Sequence, residues 1–363
     1  MIMNNKRTIA FYLPQYHPFK ENDEWWGKGF TEWRNVTKCK PRYWRHYQPH
    51  LPADLGFYDL RIPEVRQAQA DMAREYGIYG FCYYHYWFNG HLLMERPLNE
   101  VLQSKEPDFP FMICWANENW TRAWDGGEKK ILISQNYSEE DDRQHILYLL
   151  ENIFCDPRYI RVDGKPVFAI YRSSAFPNMK RSIDIWREEA RKKSIELYLC
   201  RVESFNEAGE GYLQDGFDAA IEFPPHNIKD YVANKLLLRR ALNKVSRVVF
   251  KRNLFPNIIS YRKYSDYMCK QKSPDYKRYS TVTPMWDNAA RRKYTFFALK
   301  GSTPSLYYKW LNHIMKSFRP YSKEENFVFI NAWNEWAEGN HLEPDLKWGR
   351  KYLEMTKMAI KGK

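Results

Sequence analysis

The sequence predicts an α/β chain folded as a single (β/α)8 TIM barrel with long βα-loop insertions, and three observations predict it. Eight short apolar runs are spread along 363 residues, helix-like stretches fall between them, and a polar, aromatic-rich patch follows nearly every run. No internal repeat or low-complexity linker breaks this order, so one domain over 1–363 is the simpler organisation. A doubly wound sheet is the competing architecture. The barrel is preferred because its eight βα loops converge on one face, where the polar and aromatic patches would then meet.

The runs are 8–13, 77–84, 109–115, 167–171, 197–202, 218–223, 279–284 and 326–332. Each is short, apolar and bounded by polar or turn residues, as a strand buried on both faces would be. Apolar residues at helical spacing give helices over 62–76, 139–154, 179–193, 303–318 and 348–360. Pro63 stands at the start of the first, where its fixed φ suits a helix. Two stretches depart from the pattern: 19–55, rich in Trp, Tyr and His, and a basic insertion at about 228–277. Long insertions of this kind usually shape a substrate cleft.

Composition narrows the function. Fourteen Trp and 27 Tyr are more aromatic residues than a core of Leu, Ile and Val needs, and a cleft for sugars would use some of them. The six cysteines are scattered without CxxC or Cys/His spacing, which reads as reduced thiols in a cytoplasmic protein. The first residues hold no long apolar region resembling a cleaved leader, and no apolar run is long enough to span a bilayer. The net charge of +13 is concentrated: 229–278 has 14 Lys/Arg against Asp230, Asp266 and Asp275, and so carries 11 of the 13 net charges. Within it, 232–250 is amphipathic at helical spacing. This is either a solvated insert packing its leucines on the body of the fold or a peripheral contact with the anionic inner face of a membrane. Nucleic acid is not expected, because no reading module accompanies the charge.

The strand ends supply a candidate site. The last run stops in Trp333-Asn334-Glu335-Trp336-Ala337-Glu338, two carboxylates three residues apart between tryptophans. That spacing puts both on one side of a turn, and indole faces suit the C–H faces of a sugar ring. The competing reading is a helix N-terminus with favourable glutamates and core tryptophans. Other run ends bring Tyr12, Gln15 and Tyr16; Tyr84 and His85; Trp115, Asn117, Glu118 and Trp120; and Trp286, Asp287, Asn288 and Arg291. A paired acid and base between aromatic walls is the equipment of glycosyl transfer, and crowding two carboxyls raises one pKa. No phosphate-binding glycine loop and no metal-ligand spacing occurs, so neither a cofactor nor a metal is expected.

The motifs YLPQYHP (12–18), GFCYYHYWF (80–88), CWANENWTRAWDG (114–126), WDNAARR (286–292) and NAWNEWAEG (331–339) resemble the WbsX-type, glycoside hydrolase family 99-like proteins. The resemblance runs from residue 9 to about 345 and is specific in combination. It implies a TIM barrel related to endo-acting α-mannosidases. It implies Glu335 as the base that engages a sugar 2-hydroxyl, giving a retaining route through a 1,2-anhydro sugar, and Glu338 as general acid/base. Tyr12, Tyr16, Glu118 and Trp120 would line the cleft. The expected function is a retaining glycoside-processing enzyme acting on an oligo- or polysaccharide, lipid-linked or free, in O-antigen or other surface polysaccharide biosynthesis. The alternatives are a glycosyltransferase of the lipopolysaccharide or capsule pathway and a non-catalytic glycan-binding barrel.

Overall fold

The computed structural model describes residues 6–122, 127–204, 208–226, 229–250, 255, 257–292 and 296–362. The start of the chain, 123–126 of the third-run motif, and 251–254 and 256 of the basic insertion lie outside the described residues.

All eight expected strands form: β1 Arg7–Tyr12, β2 Gly80–Phe88, β3 Phe111–Trp115, β4 Lys165–Ile170, β5 Tyr198–Glu203, β6 Ala219–Glu222, β7 in two halves, Arg278–Tyr279 and Thr281–Val282, and β8 Phe327–Ile330. Each pairs in parallel with the next. One half of β7 pairs with β6 and the other with β8, while β8 pairs with β1, so the sheet returns on itself. The amide of Phe329 donates to the Ser280 carbonyl at 2.9 Å, bridging the break in β7. Parallel pairing points every carboxyl end to one face.

Helices surround the sheet close to their expected bounds: Pro63–Glu75, Glu139–Asn152, Met179–Lys192, Pro304–Ser317 and Lys351–Lys361. Their starts are chemically marked. Ser138 Oγ accepts from the Asp141 amide, and Glu139, Glu140, Asp141 and Asp142 fill the first turn where the helix dipole favours negative charge. Thr303 caps the helix whose first turn holds Pro304.

Along β1 and β2 alternate residues take opposite sides. Phe11 packs with Tyr84, Phe223 and Phe329, side chains of four strands meeting inside the barrel. Tyr12 packs with Phe81 and Tyr83, and its hydroxyl donates to Gln69 of the Pro63–Glu75 helix at 2.7 Å. In the basic insertion the helix Lys229–Phe250 buries Leu236, Asn243 and Ser246 but exposes Leu237, Leu238, Val245, Val248, Val249 and Phe250. Leu236 therefore packs on the core of the body, whereas Leu237 and Leu238 stay exposed.

Candidate active site

The segment after β8 turns back sharply. Asn334–Glu335 pairs antiparallel with Asn340–His341, and the 3-10 turn Trp336–Glu338 closes the hairpin. Gly339 completes it at φ +52; a Cβ there would sit 3.0 Å from Asp287 Cβ and 3.1 Å from its carbonyl oxygen, so side-chain absence and left-handed backbone are both used. The Asp287 amide in turn donates to the Glu338 carbonyl at 2.6 Å, locking the ends of β7 and β8 together.

Arg291 lies between them. Its Nη2 donates to Glu335 Oε2 at 2.7 Å, its Nη1 stands 2.8 Å from Glu338 Oε1, and its Nε donates to Glu32 Oε1 at 2.8 Å. Three carboxylates thus share one planar guanidinium. Burial raises the Glu335 and Glu338 carboxyls above the ordinary carboxylate range, the nearby Arg291 charge pulling both back. Burial likewise raises the Tyr16, Tyr84 and Tyr86 phenols, which stay neutral.

Above this cluster opens a cavity of about 230 Å³ lined by Gln15, Trp26, Tyr86, Glu118, Trp120 and the Arg291, Glu335 and Glu338 side chains, among others. Trp120 sits 5.4 Å from Trp25 and 5.6 Å from Tyr86, centroid to centroid, forming one aromatic wall. Gln15, which lines the cavity, has its Nε2 buried without a hydrogen-bond partner, as has Glu32 Oε2 beneath it.

Of the residues expected from the sequence, Gln15, Glu118, Trp120, Asn288, Arg291, Glu335 and Glu338 meet in this cleft. Tyr84 stands beneath, raised in part by Glu335 and Glu338, and Tyr16 backs the hairpin, donating to the Asn334 carbonyl at 2.6 Å. The others stand elsewhere, each for a definable reason. Tyr12 points to the helix layer, as do His85, 3.0 Å from His145, and Trp115, packed on His145 and Trp186. Asn117 fastens the ends of β3 and β4 through Arg172, and Asn334 fastens β8 to β1 through both backbone groups of Leu13. Trp333 packs on Phe81, and Trp336 stacks on His341 while donating to Glu343 at 2.6 Å, so the flanking tryptophans are core and do not wall the cleft. Asp287 caps the 3-10 turn Asn288–Ala290 and is held by His46 and Gln48; it and Trp286 line a second cavity. Glu32 and Trp26 were not anticipated, while Tyr86 and Arg292 lie within strand ends read as part of the rim. Only the aromatic richness of 19–55 signalled the first two.

The parallel strands returning on themselves, with a carboxylate cluster in an aromatic cleft at their carboxyl face, define a TIM-barrel protein with a candidate active site. The chain belongs to the glycosyltransferase WbsX family, whose model matches residues 8–356. It is 39% identical over 354 residues to the uncharacterized protein WxcX of Xanthomonas campestris pv. campestris, covering 97% of this chain and 49% of that protein. The chain thus spans about half the length of the curated relatives it matches. Among solved structures, the GH99 endo-alpha-mannosidase of Bacteroides thetaiotaomicron superposes with a TM-score of 0.63 at 14% identity, covering 98% of this chain and 96% of that one. A glycoside hydrolase-like protein superposes at 0.61 and 15% identity, covering 98% of this chain and 94% of that one. At such identity the likeness is one of fold.

Proposed function

We propose that the protein is a retaining glycoside-processing enzyme acting on a surface-polysaccharide intermediate, with Glu335 and Glu338 as its catalytic pair. The observation that carries this reading is the convergence of both carboxylates on Arg291 in an aromatic-walled cleft. In the proposed reaction Glu335 takes the proton of the sugar 2-hydroxyl, whose oxygen closes on the anomeric carbon to give a 1,2-anhydro sugar. Glu338 protonates the departing glycosidic oxygen in the same step. Water or an acceptor hydroxyl then opens the three-membered ring as Glu338 takes its proton, and Glu335 returns the first to the 2-oxygen. Two inversions give net retention. Burial makes Glu335 a stronger base than an exposed carboxylate, and Arg291 offsets the negative charge it carries until it takes the proton.

Transfer from an activated donor is the second reading. It is favoured by the family description and by the second cavity, about 240 Å³, where Arg45, Lys300 and Lys347 offer charge to phosphate. On either reading the oligosaccharide is lipid-linked or free, and the exposed apolar and basic face of Lys229–Phe250 is a proposed anchor at the inner face of a membrane. None of the described helices is long and apolar enough to cross one. The test is incubation of the purified chain with the polysaccharide intermediates of its host, with and without nucleotide sugars, followed by mass spectrometry. Shortened or rearranged glycans without nucleotide support the first reading. Lengthening that requires a nucleotide sugar replaces it with the second, and intact glycan binding without turnover points to a non-catalytic barrel.

A further inference from the structure

Behind the catalytic hairpin lies a group of side chains that the proposed reaction does not use. His50 Nδ1 is 2.9 Å from His341 Nε2, and His341 Nε2 is 3.9 Å from Asp345 Oδ2. Ligand atoms of the three residues all fall within 4.8 Å of one another, and the residues are 4%, 1% and 2% exposed. Atoms so spaced lie within about 2.4 Å of a common point, and zinc takes nitrogen and carboxylate oxygen at about 2.0–2.2 Å, so a shift of a few tenths of an ångström completes the fit.

The surrounding hydrogen bonds favour ligation. His341 Nδ1 lies 2.9 Å from the Glu343 carbonyl, which can only accept, so that nitrogen carries the proton and Nε2 presents its lone pair inward. Asp345 Oδ1 is already used, accepting from the amides of Lys347 and Trp348 at 3.1 and 2.6 Å, whereas Oδ2 is buried with no partner at hydrogen-bond distance, the Tyr47 hydroxyl being the polar group that approaches the carboxylate. A buried carboxylate oxygen left unpaired beside two imidazoles is costly unless a cation joins it. His50 comes from the long insertion after β1, and only folding brings it to His341 and Asp345, four residues apart after β8. For that reason the spacing in the sequence predicts no metal.

From this geometry we propose that His50, His341 and Asp345 bind one divalent ion of the zinc class. The ion ties the insertion after β1 to the hairpin that carries Glu335 and Glu338, because His341 pairs with Asn334 across that hairpin and stacks on Trp336 at 3.8 Å. Three protein ligands leave a fourth position for water or another small ligand.

The test uses the full chain, stripped with a chelator and titrated with zinc against a chromophoric chelator, then with cobalt(II) to read the visible spectrum. The expected result is one ion per chain with a dissociation constant below micromolar, a cobalt spectrum of low coordination number, and a melting temperature that rises with zinc. Asp345→Asn keeps the acceptor for the Lys347 and Trp348 amides and should bind at least tenfold more weakly, as should His50→Gln, while Glu338→Gln binds as wild type. The proposal is overturned by absence of stoichiometric uptake at micromolar zinc, or by Asp345→Asn binding zinc as tightly as wild type.

Discussion

Arg291 and Glu335 are 44 residues apart in the chain and 2.7 Å apart in the fold, joined by a hydrogen bond across the ends of β7 and β8. With Glu338 and Glu32 on its other nitrogens, this one cation faces three carboxyls, Glu32 and Glu335 buried and Glu338 half-buried. Full ionisation would set three negative charges against this one guanidinium in a low-dielectric site, so the cluster favours keeping a proton. A retained proton beside an ionised carboxylate is what acid/base chemistry near neutral pH needs.

Removing the guanidinium should therefore cost both stability and rate. Arg291→Met leaves three carboxyls without their cation, a loss of about 3 kcal/mol by analogy with broken buried pairs, softened where the carboxyls take up protons. Turnover should fall at least a hundredfold. Arg291→Lys, which keeps the charge but not the three-way fork, should fold better and remain slow. Denaturant melts and steady-state rates on both variants check this.

The pH profile should be bell-shaped with both limbs above the usual carboxylate range. The two limbs belong to the carboxyl pair as a whole: activity rises as the first proton leaves the pair and falls as the second leaves it. Burial raises both groups, so both limbs move upward. Replacing Arg291 by Met removes the charge that lowers them, and the surviving activity should shift to higher pH still. A profile of kcat/KM over pH reads the limbs directly.

Gly339→Ala tests the turn. The new methyl meets Asp287 and the residue must stay at φ +52, so the hairpin shifts or strains by about 1–3 kcal/mol. Activity should drop more than the melting temperature, because Glu338 is the neighbouring residue and its carbonyl holds the Asp287 amide.

The strands were legible because each is a short apolar run bounded by polar residues, and Glu335, Glu338 and Arg291 were legible because they follow the ends of two such runs, β7 and β8. Side-chain direction was not legible. Parallel barrel strands are buried on both faces, so nothing in the pattern says whether Phe11 or Tyr12 faces the interior. The same ambiguity placed His85 and Trp115 in the cleft instead of against the helices, and Trp333 there instead of on Phe81. Glu32 was hidden for another reason: it sits in a long insertion, and its partner Arg291 is 259 residues away.

The helix Lys229–Phe250 should bind anionic vesicles, with association weakening as salt is raised through the range that screens surface charge. Leu238→Glu with Val248→Glu, both on exposed positions, should abolish binding and leave turnover of a free oligosaccharide unchanged. Cosedimentation with vesicles of mixed neutral and anionic lipid measures this.

The most direct test of the central claim is turnover by Glu335→Gln and Glu338→Gln on the glycan that wild type processes, with melting temperature and glycan binding measured on the same preparations. The expected result is at least a thousandfold loss in each variant, with folding and binding retained. Wild-type turnover in either variant would contradict it.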